Sequence, residues 1–191
     1  MLDACVQEGS AEETRASASS SLLACPDLAR ARGRRSRHPA VFPVLSVDPI
    51  ESAILASGIG RSFETGLAAY LVAKALAAEQ LRAGLSVVID AVSPVEEARA
   101  MWRQLATEHD AALIVIECVL DPELHRERVE SRVRGLRGIP EVTWRDVQER
   151  RKEYVAWEQE RLVLDTSRPV EELVTETLAA LRAYRRRSRR S

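Results

Sequence analysis

The chain has 191 residues, 46% of them hydrophobic and 30% charged, with a formal net charge of -1. That length suits one domain with a real core, and the balanced charge gives no global field toward nucleic acid or a membrane surface. No stretch reaches the ~18 apolar residues of a membrane span, and the N-terminus lacks the basic-then-apolar order of a secretory leader, so a cytoplasmic protein is expected. The three cysteines, Cys5, Cys25 and Cys118, form no CxxC pair, which points to buried or incidental thiols rather than a metal site or disulfide frame.

Two compositional regimes meet near residue 40. Residues 1–40 are rich in Ser, Ala, Arg and Glu and hold runs such as Ser19-Ser20-Ser21 and Arg34-Arg35-Ser36-Arg37, a composition expected to be irregular or disordered. From residue 41 the pattern is regular. Val41–Val47 reads as a short strand ending at Asp48, followed by a helical turn or two that Gly58 and Gly60 break. Thr65–Ala83 is an Ala- and Leu-rich helix stopped by Gly84. Ser86–Val92 is a buried strand, and Pro94–Glu108 an amphipathic helix with Glu96 and Glu97 in its first turn. Ala112–Leu120 is the most apolar strand. Pro122–Val133 and Thr143–Glu158 are charged helices, the second opened by a capping pair, Thr143 and Asp146. Arg161–Thr166 and Val170–Tyr184 are the last strand and helix. The expected organisation is an atypical segment over 1–40, an α/β domain over 41–184 and a basic tail over 185–191.

Strands alternating with helices argue for parallel βαβ units. Continuous apolar runs in four strands argue that both sheet faces are covered. Ligands in such sheets bind beyond the carboxyl ends of the strands, and here three strands end at Asp48, Asp90 and Asp165, while Asp121 follows the fourth. The helix after Asp121 carries Arg126, Arg128 and Arg132. Carboxylates facing guanidinium groups suit phosphoryl transfer: one orients or deprotonates an acceptor hydroxyl, another holds Mg²⁺, and arginines neutralise the moving phosphoryl. Each has a plainer reading. An Asp after a strand is often only a helix N-cap, an arginine run is often a solvated helix face, and Asp165 before Thr166-Ser167 is often a turn residue.

Taken in order, VLSVDPIE, a long helix ending LRAG, SVVIDAVSPVEEAR, IECVLDPELHRERVESRV and RLVLDTS resemble the kinase-like AAA-type ATP-binding proteins of the P-loop superfamily. This group includes gluconate kinase, polynucleotide kinase, zeta toxin and chloramphenicol phosphotransferase. The resemblance covers about residues 41–182. It implies a three-layer sheet of order 2-3-1-4-5 with helices on both faces, a small helical lid, and ATP with Mg²⁺ as cofactors. It further implies γ-phosphoryl transfer to a hydroxyl, expected here to be that of a small molecule, since the charge balance already argues against a membrane or nucleic-acid partner. By the same resemblance Asp48 is the expected base facing the acceptor, and Asp90 the second catalytic acid, near Mg²⁺. Arg99 would hold substrate. Arg128 and Arg132, with Arg126 beside them, would close over the ATP phosphates, and Thr166 would lie at the adenine edge. Trp144, Tyr154 and Trp157 either line a substrate pocket or pack the lid on the core.

The group's strongest motif, G-x-x-x-x-G-K-[ST], is missing; its backbone N–H groups and Lys would cradle the phosphates. The only lysines are Lys74 and Lys152, and the first strand is not evident either. Read one base earlier, codons permitted for Ala24 to Arg32 can spell Gly-Leu-Pro-Gly-Ser-Gly-Lys-Ser-Thr, and TCN codons at Ser19, Ser20 and Ser21 become Phe, Leu, Ile or Val. Residues 1 to about 40 therefore read as an out-of-frame translation, with a natural N-terminal extension as the alternative. Three functions stay open: a kinase, a non-catalytic nucleotide-binding module, and a nucleic-acid contact through the Arg185–Arg190 tail, for which a solvated tail is the plainer reading.

Overall fold

The computed structural model describes residues 16–26, 42–154 and 157–187. The elements run β1 (Ala16–Pro26), β2 (Val44–Ser46), α1 (Val47–Ala56), α2 (Phe63–Arg82), β3 (Val87–Ala91), α3 (Glu96–Glu108), β4 (Ala111–Leu120), α4 (Pro122–Ser131), α5 (Trp144–Glu153), β5 (Arg161–Asp165) and α6 (Val170–Arg187). The five strands form one sheet in the order β2-β3-β1-β4-β5. β2 runs parallel to β3 and β4 parallel to β5, so the expected α/β architecture and strand order are both present.

The central slot is filled by β1, from the segment that the sequence marks as irregular. It runs antiparallel to both neighbours, pairing Ser20 with Ala91 and Ala24 with Val87 on one side, and Ala16 with Leu120 and Pro26 with Ala111 on the other. The reason is backbone chemistry rather than side-chain pattern. β3 and β4 each present a row of N–H and C=O groups that must be paired, and β1 supplies the partners on both sides. Because β1 is reversed, its last residue, Pro26, lies at the edge opposite the carboxyl ends of β2, β3, β4 and β5. The remainder of the expected atypical segment, 1–15 and 27–40, lies outside the described residues, as do residue 41 and residues 188–191 of the expected tail; the first three tail residues continue α6.

One face of the sheet carries α1, α2 and α3. Their core contains Val47, Ala69, Ala73, Ala77 and Leu81 against Val87, Ile89, Ala91 and Val115, with Trp102 and Leu105 from α3. The other face packs Val88 and Ile114 against Leu178 and Leu181 of α6 and against Phe42. Trp102 is fully buried, and its indole N–H donates to Ser93 Oγ at 3.2 Å, satisfying the one polar atom that such burial would strand. α2 opens on a capping box between Ser62 and Thr65, two residues before its expected start.

α4 stops two residues before its expected end, at Ser131, and α6 runs on past Tyr184 to Arg187; two other shifted ends bear on the site. The strand before Asp48 stops at Ser46, so Asp48 sits in the first turn of α1, where the helix dipole favours a carboxylate. The helix expected over Thr143–Glu158 ends at Glu153, with Tyr154 in extended conformation. Tyr154 leaves the helix to reach the core: its hydroxyl donates to Glu117 Oε1 on β4 at 2.8 Å.

Candidate functional site

The carboxyl ends of β2 and β3 bring together the two acids singled out in the sequence. Ser46 and Asp90 are register partners, and Ser46 Oγ donates to Asp90 Oδ2 at 3.0 Å. Asp48 lies two residues past Ser46. Its Oδ2 accepts from Arg134 Nη1 at 2.7 Å, although the Asp48 side chain remains 60% exposed.

Arg134, which the sequence reading did not single out, organises this corner. Its Nη2 donates to Pro140 O at 3.0 Å and its Nε lies 3.4 Å from Glu141 Oε2. Glu141 Oε1 in turn accepts from the backbone N–H groups of Arg134 and Gly135 at 2.9 and 3.0 Å. The Gly135 N–H, followed by the contacts with Arg134, holds the Glu141 carboxyl below the usual range, against burial, the second-largest influence, which pushes it up. Residues 134–141 are thereby tied into a closed loop. Ser52 Oγ anchors it to α1 by donating to Arg137 O at 2.9 Å. Gly138, at φ +77°, lies so close to Leu55 that a Cβ there would stand 2.9 Å from the Leu55 Cβ.

Between this loop, α1, the α1–α2 connection and α5 lies a polar cleft of about 370 Å³, walled by Asp48, Glu51, Arg61, Arg134, Asp146 and Arg150 among others. Glu51 accepts from Thr65 Oγ1 at 3.2 Å and lies 3.9 Å from Arg61. Asp146 is the N3 member of the α5 capping box. The Thr143 hydroxyl, then the Thr143 N–H, lowers its pKa. Below the cleft, Tyr70 donates its hydroxyl to Val92 O, and burial, reinforced by the charges of Asp48 and Glu51, pushes that phenol up to about 12.

The remaining expected residues divide. Arg128 and Thr166 come together, with Arg128 Nη2 donating to Thr166 O at 3.0 Å, while Thr166 Oγ1 donates to Val119 O at 3.0 Å. Arg126 turns to Glu130, one helical turn on, at 2.9 Å. Arg132 caps α4 in extended conformation; with Arg151 and Arg128 it depresses the pKa of His125, for which burial is the larger cause. Arg99 is placed away from the cleft walls. It is 2% exposed, donates Nε to Ser93 O at 2.9 Å, and its guanidinium lies 4.3 Å from the Trp157 ring centre and 5.2 Å from that of Tyr154. Tyr154 and Trp157 thus take the packing role of the two considered for them. Trp144 does likewise, edge-on to His125 and under Arg151. Asp121 is an N-cap, accepting from the N–H groups of Glu123 and Leu124, and Asp165 a turn residue that accepts from Ser167.

Among the described residues no three His, Cys, Asp or Glu side chains converge as a metal cage. Mg²⁺ commonly takes only one or two protein carboxylates beside phosphate oxygens and water. Asp90, exposed at its strand end, fits that modest role.

The strand order, the parallel β2–β3 and β4–β5 pairs and the acids at their carboxyl edge are consistent with an α/β fold of the P-loop type. A family model described as "AAA domain" matches residues 27–154, more than half of the chain. The chain belongs to that family. No curated protein matches it. No described helix is long and apolar enough to cross a membrane.

Proposed function

We propose that this body is that of an ATP-dependent phosphotransferase acting on a hydroxyl of a small polar molecule, impaired in this chain for want of a phosphate loop. The observation that carries the reading is the cleft at the carboxyl edge of β2, with the Asp48 carboxylate in its wall. An acceptor hydroxyl seated there would give its proton to Asp48 as its oxygen bonds to the γ-phosphorus and the β–γ bridging P–O bond breaks. Arg134 engages Oδ2 of Asp48 and leaves Oδ1 for that proton. Asp90 would hold Mg²⁺, which supplies charge neutralisation when bound. Arg128, with Arg126 and Arg132 on the same lid, would face the phosphates, and Thr166 the base. Arg99 acts through Tyr154 and Trp157, as a residue that fixes the end of α5 rather than one that touches substrate. A cytoplasmic setting suits ATP chemistry of this kind.

The alternative is a non-catalytic nucleotide-binding module. It is favoured by the absence of any Gly-Lys-Ser or Gly-Lys-Thr in the chain and by the reversed β1, which ends at the edge opposite Asp48 and Asp90. Both readings accommodate an out-of-frame segment over residues 1 to about 40. The coding DNA tests that segment first: Arg30 must be AGA, and a CGN codon rules the frame shift out. Calorimetry tests the rest. The chain as it stands should show no binding of Mg-ATP up to about 1 mM, and micromolar affinity, about -8 kcal/mol, would refute the impairment. The frame-restored chain should bind ATP and phosphorylate a hydroxyl acceptor. In it, Asp48→Asn should lower transfer by roughly 10²–10⁴-fold with ATP binding unchanged. A frame-restored chain that binds ATP but transfers to no acceptor leaves the binding-module reading standing.

A further inference from the structure

α2 is built inside out. Its buried face is mostly alanine: Ala69, Ala73 and Ala77 are fully buried and Ala78 nearly so. Its large apolar side chains point the other way. Phe63 is 81% exposed, Leu67 46%, Leu71 52%, Val72 41% and Leu76 43%. A helix apolar on all sides belongs in an interior. The outer residues form a contiguous strip that exposes on the order of 500 Å² of apolar surface, at the upper end of what a monomer tolerates.

The order of residues on that strip indicates what covers it. Leu67, Ala68, Leu71, Val72, Ala75 and Leu76 are the outward positions, and they read nearly the same in both directions: Leu-Ala-Leu, then Val-Ala-Leu. A two-fold axis between Leu71 and Val72 would set Leu67 against Leu76, Ala68 against Ala75 and Leu71 against Val72 of a second, antiparallel α2. The rows Leu67-Leu71-Ala75 and Ala68-Val72-Leu76 are i,i+4 ridges, the kind that interdigitate between packed helices. The alanines let the backbones approach. A patch that matches its own rotated copy is what an isologous dimer contact requires.

The rest of this chain offers no such complement. Residues 27–41 contain five arginines and only Leu28 and Val41 as large aliphatics, residues 1–15 only Met1, Leu2 and Val6, and residues 188–191 none. Two strips together bury at most about 1,000 Å², with Phe63 counted, which places the contact at the low end, among weak reversible ones. Glu64 and Glu79 flank the strip; Glu79 is already paired with Arg82, which lessens the like-charge repulsion at the ends.

We infer that the outer face of α2 is the self-association surface of this protein, giving a reversible two-fold dimer through antiparallel α2 helices. The test is sedimentation equilibrium of the full chain from about 5 to 200 μM, where micromolar dissociation is expected. The mass should move from 21.2 kDa toward twice that value and stop there. Leu71→Glu should weaken the dimer at least 10-fold while the far-UV spectrum stays that of the parent. Val174→Glu, also exposed but on α6, should leave it intact. Leu67→Gln with Leu76→Gln gives a milder second variant, and a melting temperature of the unaltered chain that rises with concentration gives a check that needs no variant. A monomer at 200 μM, open-ended growth beyond the dimer, or a dimer indifferent to both α2 variants would each overturn the inference.

Discussion

The pair most exposed to test by substitution is Glu117 with Arg161, because their burial is unequal. The Glu117 side chain is 8% exposed and that of Arg161 33%, with Arg161 Nε 2.5 Å from Glu117 Oε2. Tyr154 donates to the other carboxylate oxygen, and Arg161 Nη1 donates to Trp157 O at 3.1 Å. Removing one member of a buried pair costs about 3–5 kcal/mol because the other charge is left without a partner. Here the two deletions should differ. Arg161→Met strands a carboxylate that water barely reaches, and should cost about 3–4 kcal/mol. Glu117→Gln strands a guanidinium that is one-third in solvent, keeps an acceptor for Tyr154, and should cost only about 1–2 kcal/mol. In urea, with a slope of about 2 kcal/mol/M for a chain of this size, the midpoints should fall by roughly 1.5–2 M and 0.5–1 M. The double variant buries no charge and should lose at least about 1 kcal/mol less than the sum of the two single losses. Glu117→Gln costing as much as Arg161→Met, or a coupling below about 0.5 kcal/mol, would refute this account of what holds β4, β5 and the end of α5 together.

Two further outcomes follow from the geometry around the cleft. Gly138→Ala meets both a left-handed backbone at φ +77° and the Leu55 Cβ at 2.9 Å, whereas Gly58→Ala, at φ +97°, meets open space. The first should cost about 1 kcal/mol more than the second, beyond the 1–2 kcal/mol of backbone strain that both share, and equal losses in thermal melts would show that the loop does not dock on α1 as described. Tyr70, with its phenol pushed up to about 12 from about 10 in the unfolded chain, gives stability that is complete below pH 10. It is lost as pH rises from 10 to 12, because the folded state there keeps a proton that the unfolded state releases. Unfolding by denaturant across that range should show a decline of about 2–3 kcal/mol that Tyr70→Phe removes, and an unchanged decline in the variant would place its cause elsewhere.

What could be read in the sequence, and what could not, divides by the range of the interactions involved. β3, β4 and β5 lie where their apolar runs put them, and Asp48 and Asp90 share one edge because a parallel sheet leaves its strand ends nowhere else to go. α5 and Tyr154 mark the first limit: the capping box fixed where the helix began, but its end was set by Glu117, 37 residues earlier, which no local pattern reveals. Arg134 marks the second. Its partner Asp48 is 86 residues away, and within its own segment it looks like one more arginine among many. β1 marks the third and most consequential limit. Ala16–Pro26 has no alternation of large apolar residues, and it becomes a strand because two neighbouring strands need their hydrogen bonds met. That same demand can be met in either direction. A sheet filled by a reversed strand keeps its order and its core, yet here that strand ends, at Pro26, on the edge opposite Asp48 and Asp90. The fold can therefore be legible, with Asp48 and Asp90 at one edge, in a chain whose central strand no local pattern announces.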